Sequence, residues 1–325
     1  MEKFHSNAAS LLITVALLLT LSSPVAGGEA RYANSLPLID IHAHFFRMTP
    51  DSVIKVMDDE AISVAVFMPV PNAGRSRRRG ASEDLYLDAA KAFPKRLAAF
   101  FGGNELNQEL ASIDGGRVTD SDRERFRERV ETILKQGGFK GIGELGPRHM
   151  AWTPGMHEIE YPADHPLMLV LADLAAKYEL PIDVHLEANE KTIAQFERLL
   201  AYNGKAKIIW AHAGWSNTGL ATPELMKRLM SKYPNLYSSI KSREPENTAQ
   251  EKVRLTNEKG TLISAWRTLF EEFSEKFFIG TDVKLGDNDT DYRHAAAHRK
   301  ILEQLSEASA RKIAQENALS LLRLK

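Results

Sequence analysis

Two histidines separated by one residue stand at the end of a short apolar run near the start of the chain. They are His42 and His44, and the run before them covers residues 36–41. Residues two apart on a β-strand point to the same side, so both imidazoles can reach one metal ion. On its own the pair also fits ordinary polar or core histidines, so the metal hypothesis depends on partners elsewhere in the chain.

Four more polar residues follow apolar runs further along the chain. They are Glu144, His185, His212 and Asp282. The carboxyl ends of parallel barrel strands meet at one rim, so closing a barrel would bring these residues to the histidine pair. The sequence therefore predicts a metal site in which the four histidines and Asp282 are ligands.

Glu144 has several interpretations. A carboxylate at the end of a fourth strand can bridge a second metal ion or act as a base, and it can also form a structural salt bridge with Arg148. We favour the functional role, as metal ligand and catalytic group. Gly141, Gly143 and Gly146 around it are interpreted as packing or turning positions without a contact to substrate.

The chain contains no cysteine, which excludes disulfides, a cysteine nucleophile, thiolate metal ligands and a lipid-modified cysteine. A metal must then be held by nitrogen and oxygen, which suit Zn²⁺, Mn²⁺, Fe²⁺ or Co²⁺. Zn²⁺ is the default expectation, and the number of ions, one or two, stays open.

Eight short apolar runs alternate with amphipathic segments, a pattern typical of βα units around a parallel sheet. The runs cover residues 36–41, 62–68, 97–101, 139–143, 180–184, 206–211, 236–240 and 277–280. Residues 308–324 are expected to form a closing helix. Barrels of roughly 250 residues form one domain, so we predict a single-domain (β/α)₈ TIM barrel over residues 29–325.

Basic and aromatic residues that follow strand ends are candidates for substrate binding. The set is Arg47, Arg148, His149, Trp215 and Lys241, with Trp152, Arg243 and Lys284 as further candidates. Their cationic members suggest an anionic substrate, although each can also be a solvated loop residue or the partner of a local salt bridge. An arginine run at residues 75–79 is interpreted as a solvated, mobile loop.

Composition and the N-terminus limit the class of protein. A net charge of −1 and a pI of about 6.8 do not favour a nucleic-acid partner. The apolar run 11–21 followed by small residues is typical of a secretory signal, so we expect residues 1–28 to be removed, with cleavage between Ala26 and Ala30. We therefore expect a periplasmic or secreted protein without a stable membrane span, and homo-oligomerisation stays open.

The whole pattern resembles the amidohydrolase superfamily, and more narrowly the amidohydrolase-related group of metal-dependent hydrolases. The segment Leu38-Ile39-Asp40-Ile41-His42-Ala43-His44 looks like the family's first-strand motif, which supplies two metal ligands. His185 and His212 match the histidines of the fifth and sixth strands. Asp282 in Gly280-Thr281-Asp282 matches the eighth-strand aspartate, and the resemblance implies that it binds metal and takes a proton from water.

A nuclease branch of the superfamily is the alternative. Residues 141–146, Gly-Ile-Gly-Glu-Leu-Gly, resemble the fourth-strand segment of TatD-type deoxyribonucleases, in which the glutamate is a ligand. Those enzymes usually continue into an aspartate, where this chain has Pro147 and Arg148. They also carry a Glu-Thr-Asp-x-Pro motif, where this chain has Gly-Thr-Asp-Val-Lys at 280–284. These differences favour a small-molecule hydrolase.

The expected chemistry follows from what a divalent ion does to water. Coordination lowers the pKa of water from 15.7 to about 7, and Asp282 can accept the released proton, with Glu144 and His185 as further catalytic candidates. We expect attack on a C–N or C–O bond of a small anionic ester, lactone or amide. Metal-dependent decarboxylation also fits the same residues, and a noncatalytic binding protein on a retained barrel is a hypothesis from a different class. The substrate itself is left open.

Overall fold

The structure is a computed structural model that describes residues 36–71, 83–150, 158–287 and 289–324. The expected signal segment at residues 1–28, the arginine run at 75–79 and Trp152 lie outside the described residues.

Strands alternate with helices along the described chain. The strands are β1 (Leu38–Phe45), β2 (Ile62–Phe67), β3 (Leu97–Gly102), β4 (Phe139–His149), β5 (Ile159–Glu160), β6 (Ile182–Leu186), β7 (Ile208–Ala213), β8 (Leu236–Ile240), β9 (Phe277–Ile279) and β10 (Val283–Leu285). The helices are α1 (Pro50–Asp59), α2 (Glu83–Ala92), α3 (Glu105–Ser112), α4 (Asp120–Gln136), α5 (Pro166–Tyr178), α6 (Glu190–Tyr202), α7 (Pro223–Lys232), α8 (Thr248–Glu251), α9 (Ser264–Glu272), α10 (His294–Leu302), α11 (Glu307–Arg311) and α12 (Asn317–Leu322).

The parallel strands close into a barrel. Their order is β1, β2, β3, β4, β6, β7, β8 and β9, and β1 pairs with β9 through Asp40 and Ile279. β10 continues the eighth strand beside β1, with Ala43 opposite Val283. The two-residue β5 runs antiparallel to the end of β4. The predicted (β/α)₈ barrel is confirmed, with each of the eight predicted apolar runs forming one of its strands.

Two apolar layers hold the barrel. The larger layer lies between the strands and the surrounding helices, and it includes Trp266 and Phe270 of α9. The smaller layer fills the barrel interior, where Phe100 and Phe278 pack with Leu321 of the closing helix α12. A Cβ on Gly141 would lie 2.4 Å from the Phe100 ring, so Gly141 is a packing position, as predicted.

Helices form between the strands, where the sequence analysis places amphipathic segments. α4 buries Phe126, Val130 and Leu134 on one face. The predicted closing helix forms as α11, a π-helical turn at Lys312–Glu316 and α12 in succession. Within the described ranges, no helix combines the length and hydrophobicity that crossing a membrane requires.

Candidate metal centre

The predicted ligands lie together at the carboxyl-terminal end of the barrel, and none is more than 4% exposed. Five of the strands run further than predicted, and in four of them the added residues include candidate ligands, which therefore lie within strands rather than after them. β1 includes His42 and His44, β6 includes His185 and β7 includes His212. β4 continues past Glu144 to His149, whereas the predicted strand stopped at residue 143. An apolar run marks only the part of a strand that faces apolar neighbours, which explains the early ends.

Two overlapping groups of side chains have the geometry of a metal site. One consists of His42, His44 and Asp282, the other of His42, Glu144 and His212, and in each group the ligand atoms lie within 4.8 Å of one another. His44 Nε2 is 3.1 Å from Asp282 Oδ1, and His42 Nε2 is 3.3 Å from Glu144 Oε2. His212 Nε2 is 3.4 Å from the other Glu144 oxygen. The interpretation of Glu144 as a structural partner of Arg148 is not supported, because its carboxylate faces the histidines.

His185 takes a different position from the other three histidines. Its Nδ1 is 3.1 Å from Glu144 Oε1, and its Nε2 is 3.5 Å from Glu187 Oε1. Burial opposes a charge on His185, but these two carboxylates outweigh it and raise the pKa of His185 to about 9. Among the described residues His185 belongs to neither of the two ligand groups, but its Nδ1 is as close to Glu144 as the nitrogens of His42 and His212 are, so its role as a ligand stays a prediction.

The side chains present fit a divalent metal. Within the described part of the chain, His42 Nε2 and His212 Nδ1 are buried and make no hydrogen bond of normal geometry, although the Glu144 carboxylate lies 3.3 Å from His42 Nε2. Buried polar atoms in native structures almost always have a partner, so these two nitrogens fit metal ligands, whereas His42 Nδ1 faces Asp183. Imidazole and carboxylate donors together suit Zn²⁺, Mn²⁺, Fe²⁺ or Co²⁺, as the absence of cysteine requires.

Two candidate ligands have unusual backbone conformations. His212 has a φ of 73° and Asp282 has a φ of 53°, both in the left-handed region. Such conformations in non-glycine residues cost energy and occur often at functional sites. A backbone hydrogen bond stabilises each of these conformations. The Trp215 N–H donates to His212 O at 2.9 Å, and the Asp282 N–H donates to His42 O at 2.8 Å.

Two aspartates outside the predicted ligand set orient the first strand. Asp40 accepts hydrogen bonds from the backbone N–H of His42 and of Thr281, each at 3.0 Å. Asp183 Oδ1 lies 3.3 Å from His42 Nδ1, on the side of the ring away from Glu144. A carboxylate behind a metal-binding histidine typically fixes the ring and its tautomer. The signal in the sequence was a charged residue within an apolar run, at 40 and at 183.

Asn107 of α3 fixes the backbone around Glu144. Its amide nitrogen donates to Gly103 O at 2.6 Å and to Glu144 O at 2.8 Å. Its amide oxygen accepts from Gly146 N at 2.8 Å and from the Tyr161 hydroxyl at 2.6 Å. The nitrogen and the oxygen of this fully buried amide therefore both have hydrogen-bond partners, and these include the backbone of Glu144 and of Gly146. Nothing in the sequence around Asn107 distinguishes it from a surface asparagine.

Two lysines hold the Asp282 carboxylate. Lys241 Nζ is 2.6 Å from Oδ2, and Lys284 Nζ is 2.7 Å from Oδ1. Burial raises the pKa of the Asp282 carboxyl, but the two ammonium groups outweigh it and hold that pKa well below its ordinary value. Burial also lowers the pKa of the Lys241 ammonium to about 8, against the opposing effect of Asp282. Arg243 donates to the backbone carbonyl of Asp282 at 2.6 Å.

The predicted substrate-binding residues are not all brought together. Lys241 and Trp215 are adjacent, with the ammonium 4.6 Å from the indole ring centroid. His149 packs on His185 with ring centroids 4.5 Å apart, and burial followed by the nearby His185 lowers the pKa of His149 to about 3. Arg148 instead lies 3.4 Å from Glu160 of β5, and Arg47 is an exposed residue after β1.

Comparisons with known proteins agree with this geometry. The family model described as Amidohydrolase matches residues 39–324. A dihydroorotase structure from Campylobacter jejuni has a TM-score of 0.52 at 16% identity, over 89% of this chain and 84% of that one. No curated protein sequence matches the chain.

Two further solved structures share the fold. 5-carboxyvanillate decarboxylase LigW from Sphingomonas paucimobilis has a TM-score of 0.50 at 13% identity, over 89% of this chain and 100% of that one. Amidohydrolase 2 from Bifidobacterium longum subsp. infantis gives the same values. At these identities the structural likeness establishes the fold alone.

Proposed function

Because this chain belongs to the amidohydrolase family and is an enzyme of that family, we propose that it is a zinc-dependent hydrolase of small anionic esters, lactones or amides. The observation that carries the proposal is the convergence of buried imidazoles and carboxylates on His42, in two groups whose ligand atoms lie within 4.8 Å. His42 Nε2 and His212 Nδ1, which are buried without a hydrogen bond of normal geometry among the described residues, support a metal there rather than a purely structural network.

The residues that would hold the ion are His42, His44, His212, Glu144 and Asp282. A divalent ion bound there supplies an activated water and polarises the carbonyl oxygen of the substrate. Asp282 is ionised beside Lys241 and Lys284 and would accept the proton that the attacking water loses, although the two ammonium groups weaken it as a base. His185, held between Glu144 and Glu187, is placed to donate a hydrogen bond or a proton at the edge of the site.

The charge around the site supports an anionic substrate. Lys241, Lys284 and Arg243 all contact Asp282, so a ligand that reaches this aspartate meets three cationic groups. The whole chain carries a net charge of only −1, which supplies none of the overall basicity typical of proteins that bind nucleic acid through phosphate contacts. A small carboxylate-bearing molecule fits this distribution better than DNA.

Metal analysis and a substrate screen test the proposal. We expect the purified protein to carry between about one and two equivalents of transition metal, as one or two ions in the two ligand groups would give. The screen compares carboxylate-bearing esters, lactones and amides with single-stranded DNA, and it includes a readout for released carbon dioxide. Full activity after chelation would overturn the metal mechanism. Degradation of DNA alone would assign the site to a nuclease, and release of carbon dioxide alone would assign it to a decarboxylase.

We also propose that the protein is exported. The support is the apolar run 11–21 followed by the small residues at 26–28. N-terminal sequencing of protein recovered from outside the cytoplasm is expected to begin between Ala26 and Ala30. An intact N-terminus on protein found only in the cytoplasm would refute export.

A further inference from the structure

We propose that Lys241 and Lys284 form an anion site, in which Asp282 occupies the place that a substrate carboxylate takes once Asp282 binds the metal. The inference deepens the proposed function, since it names the group by which the substrate is recognised. The anion site itself can be tested without any turnover.

The contacts of Asp282 define the geometry of this anion site. Lys241 Nζ contacts Oδ2 at 2.6 Å, and Lys284 Nζ contacts Oδ1 at 2.7 Å. One carboxylate therefore receives one ammonium on each of its two oxygens. Charge-assisted bonds of this length are among the strong polar contacts in proteins. The spacing of the two ammonium groups is thus already that of a carboxylate-binding pair.

Metal binding and the ion pair with Lys284 compete for the same oxygen of Asp282. Oδ1 lies 3.1 Å from His44 Nε2, and Asp282 belongs to the ligand group with His42 and His44. An oxygen that ligates a cation becomes a weaker acceptor for Lys284. A carboxylate shared with a metal cation also offers less negative charge to Lys241, which contacts Oδ2 and is only 3% exposed, and a buried charge without a full counter-charge is costly. A substrate carboxylate supplies that counter-charge.

Rigid surroundings keep the pair in place. The backbone N–H of Lys241 donates to Ala213 O of β7 at 2.9 Å, and Lys284 lies in β10 opposite His44 of β1. The Trp215 ring lies 4.6 Å from the Lys241 ammonium. Its indole N–H is buried and has no hydrogen-bond partner within the described ranges, so it offers a further donor. The site therefore offers a carboxylate two ammonium groups and an indole N–H.

Arg243 is not part of this pair. Its guanidinium donates to the Asp282 backbone carbonyl and lies 3.5 Å from Asp289. It supports the loop that carries the aspartate and already has a carboxylate partner.

Calorimetry with phenylacetate and its uncharged analogue phenylacetamide tests the anion site on the zinc-loaded protein. Phenylacetate is expected to bind more tightly than the amide. Lys241→Met and Lys284→Met should each lower the affinity for phenylacetate by about tenfold or more, and they should change the affinity for phenylacetamide little. Lys205→Met, an exposed lysine before β7, is the matched control and should change neither. Unchanged phenylacetate binding in both site variants would overturn the proposal, since the carboxylate would then be held elsewhere.

A second arm uses protein from which metal has been removed, so it is independent of catalysis. Asp282→Asn deletes the internal anion but keeps the side-chain shape. The metal-free variant is expected to bind phenylacetate at least about tenfold more tightly than metal-free wild type. Adding Lys284→Met to the Asp282→Asn variant should abolish this gain in affinity. The Lys284 side chain is partly exposed, so methionine can replace it without leaving a buried cavity. A folded Asp282→Asn protein without the gain would refute the anion site, even if the hydrolase assays succeed.

Discussion

Asp282 is an ion-pair partner of two lysines and, in the proposed function, also a metal ligand and a proton acceptor, and Asp282→Asn separates these roles. The amide keeps one oxygen donor but has almost no basicity, so the proton of the attacking water loses its acceptor. We expect kcat to fall by about 10² to 10⁴, the usual contribution of a general base. Metal should largely remain, because the histidines and Glu144 still offer ligands.

Metal stoichiometry and kcat measured on the same Asp282→Asn preparation decide this prediction. His42→Asn is the matched comparison, since His42 belongs to both ligand groups and its loss should lower the metal content itself. Turnover at the wild-type rate with bound metal would show that another group takes the proton, with Glu144 or His185 next to be tested.

Asn107 allows a prediction about the support of Glu144. In Asn107→Ala the carbonyl of Glu144, the N–H of Gly146 and the Tyr161 hydroxyl lose a buried partner together. Each unsatisfied buried group costs about 1–3 kcal/mol, so the free energy of unfolding should fall by at least about 2 kcal/mol. Tyr161→Phe removes one of these bonds and should cost about 1 kcal/mol.

Urea denaturation measures both Asn107 and Tyr161 variants. Metal affinity supplies a second readout, because a displaced Glu144 backbone should weaken binding in Asn107→Ala more than in Tyr161→Phe. Equal stability and equal metal affinity in all three proteins would contradict a positioning role for the amide.

At the scale of elements, the sequence predicted the positions of the strands better than the residues at which the strands end. Parallel barrel strands are buried on both faces, so they read as continuous apolar runs that are easy to locate. The strands β1 and β4 extend past those runs because polar ligands occupy inward positions at the rim. His42, Glu144 and Asp282 were identified because they directly follow such runs. Asn107 could not be identified in this way. It lies in an otherwise ordinary helix, and its hydrogen bonds to Glu144, Gly146 and Tyr161 reach residues 37 to 54 positions further along the chain.

The packing of α10 on the end of β8 gives a prediction for pH. His298 is buried, with Nδ1 2.7 Å from His294 O, and its Nε2 lies 3.0 Å from Ile240 O and accepts from the Ser242 backbone N–H at 3.3 Å. Burial lowers the pKa of His298 to about 4, despite the two carbonyl contacts. The unfolded imidazole has a pKa of about 6.5, so protons bind the unfolded chain first as the pH falls. The contribution to stability is complete above about pH 6.5 and is lost as the pH falls to about 4.

His298→Gln removes this titration and keeps a side chain with both a donor and an acceptor. On the order of 3 kcal/mol of pH-dependent stability should separate wild type from the variant across the window from about pH 6.5 to about pH 4. Urea denaturation of both proteins at several pH values measures the difference between their free energies of unfolding. The carboxylates titrate in both proteins, so their contribution cancels in this difference. Parallel stability curves would show that His298 is not held neutral in the fold.

At the scale of the whole molecule, barrel closure and the metal site depend on the same residues. Asp40 of β1 pairs with Ile279 of β9 and accepts from Thr281 Oγ1 at 2.5 Å. The same carboxylate accepts from His42 N, the backbone of a candidate ligand. The bonds that join the first and eighth strands therefore also set the separation of His42 from Asp282. Metal bound across these strands should stabilise the closed barrel.

Zinc is accordingly expected to raise the thermal stability of the protein. A ligand that binds only the folded state adds about 2.7 kcal/mol when its free concentration is about 100 times Kd. The melting temperature of chelator-treated protein should rise by several degrees on titration with zinc and fall again with excess chelator. The control is the double variant His42→Asn/His212→Asn, which loses a ligand from each group and should show no response. An equal rise in the double variant would mean that zinc acts at another site, and the assignment of the metal centre would be wrong.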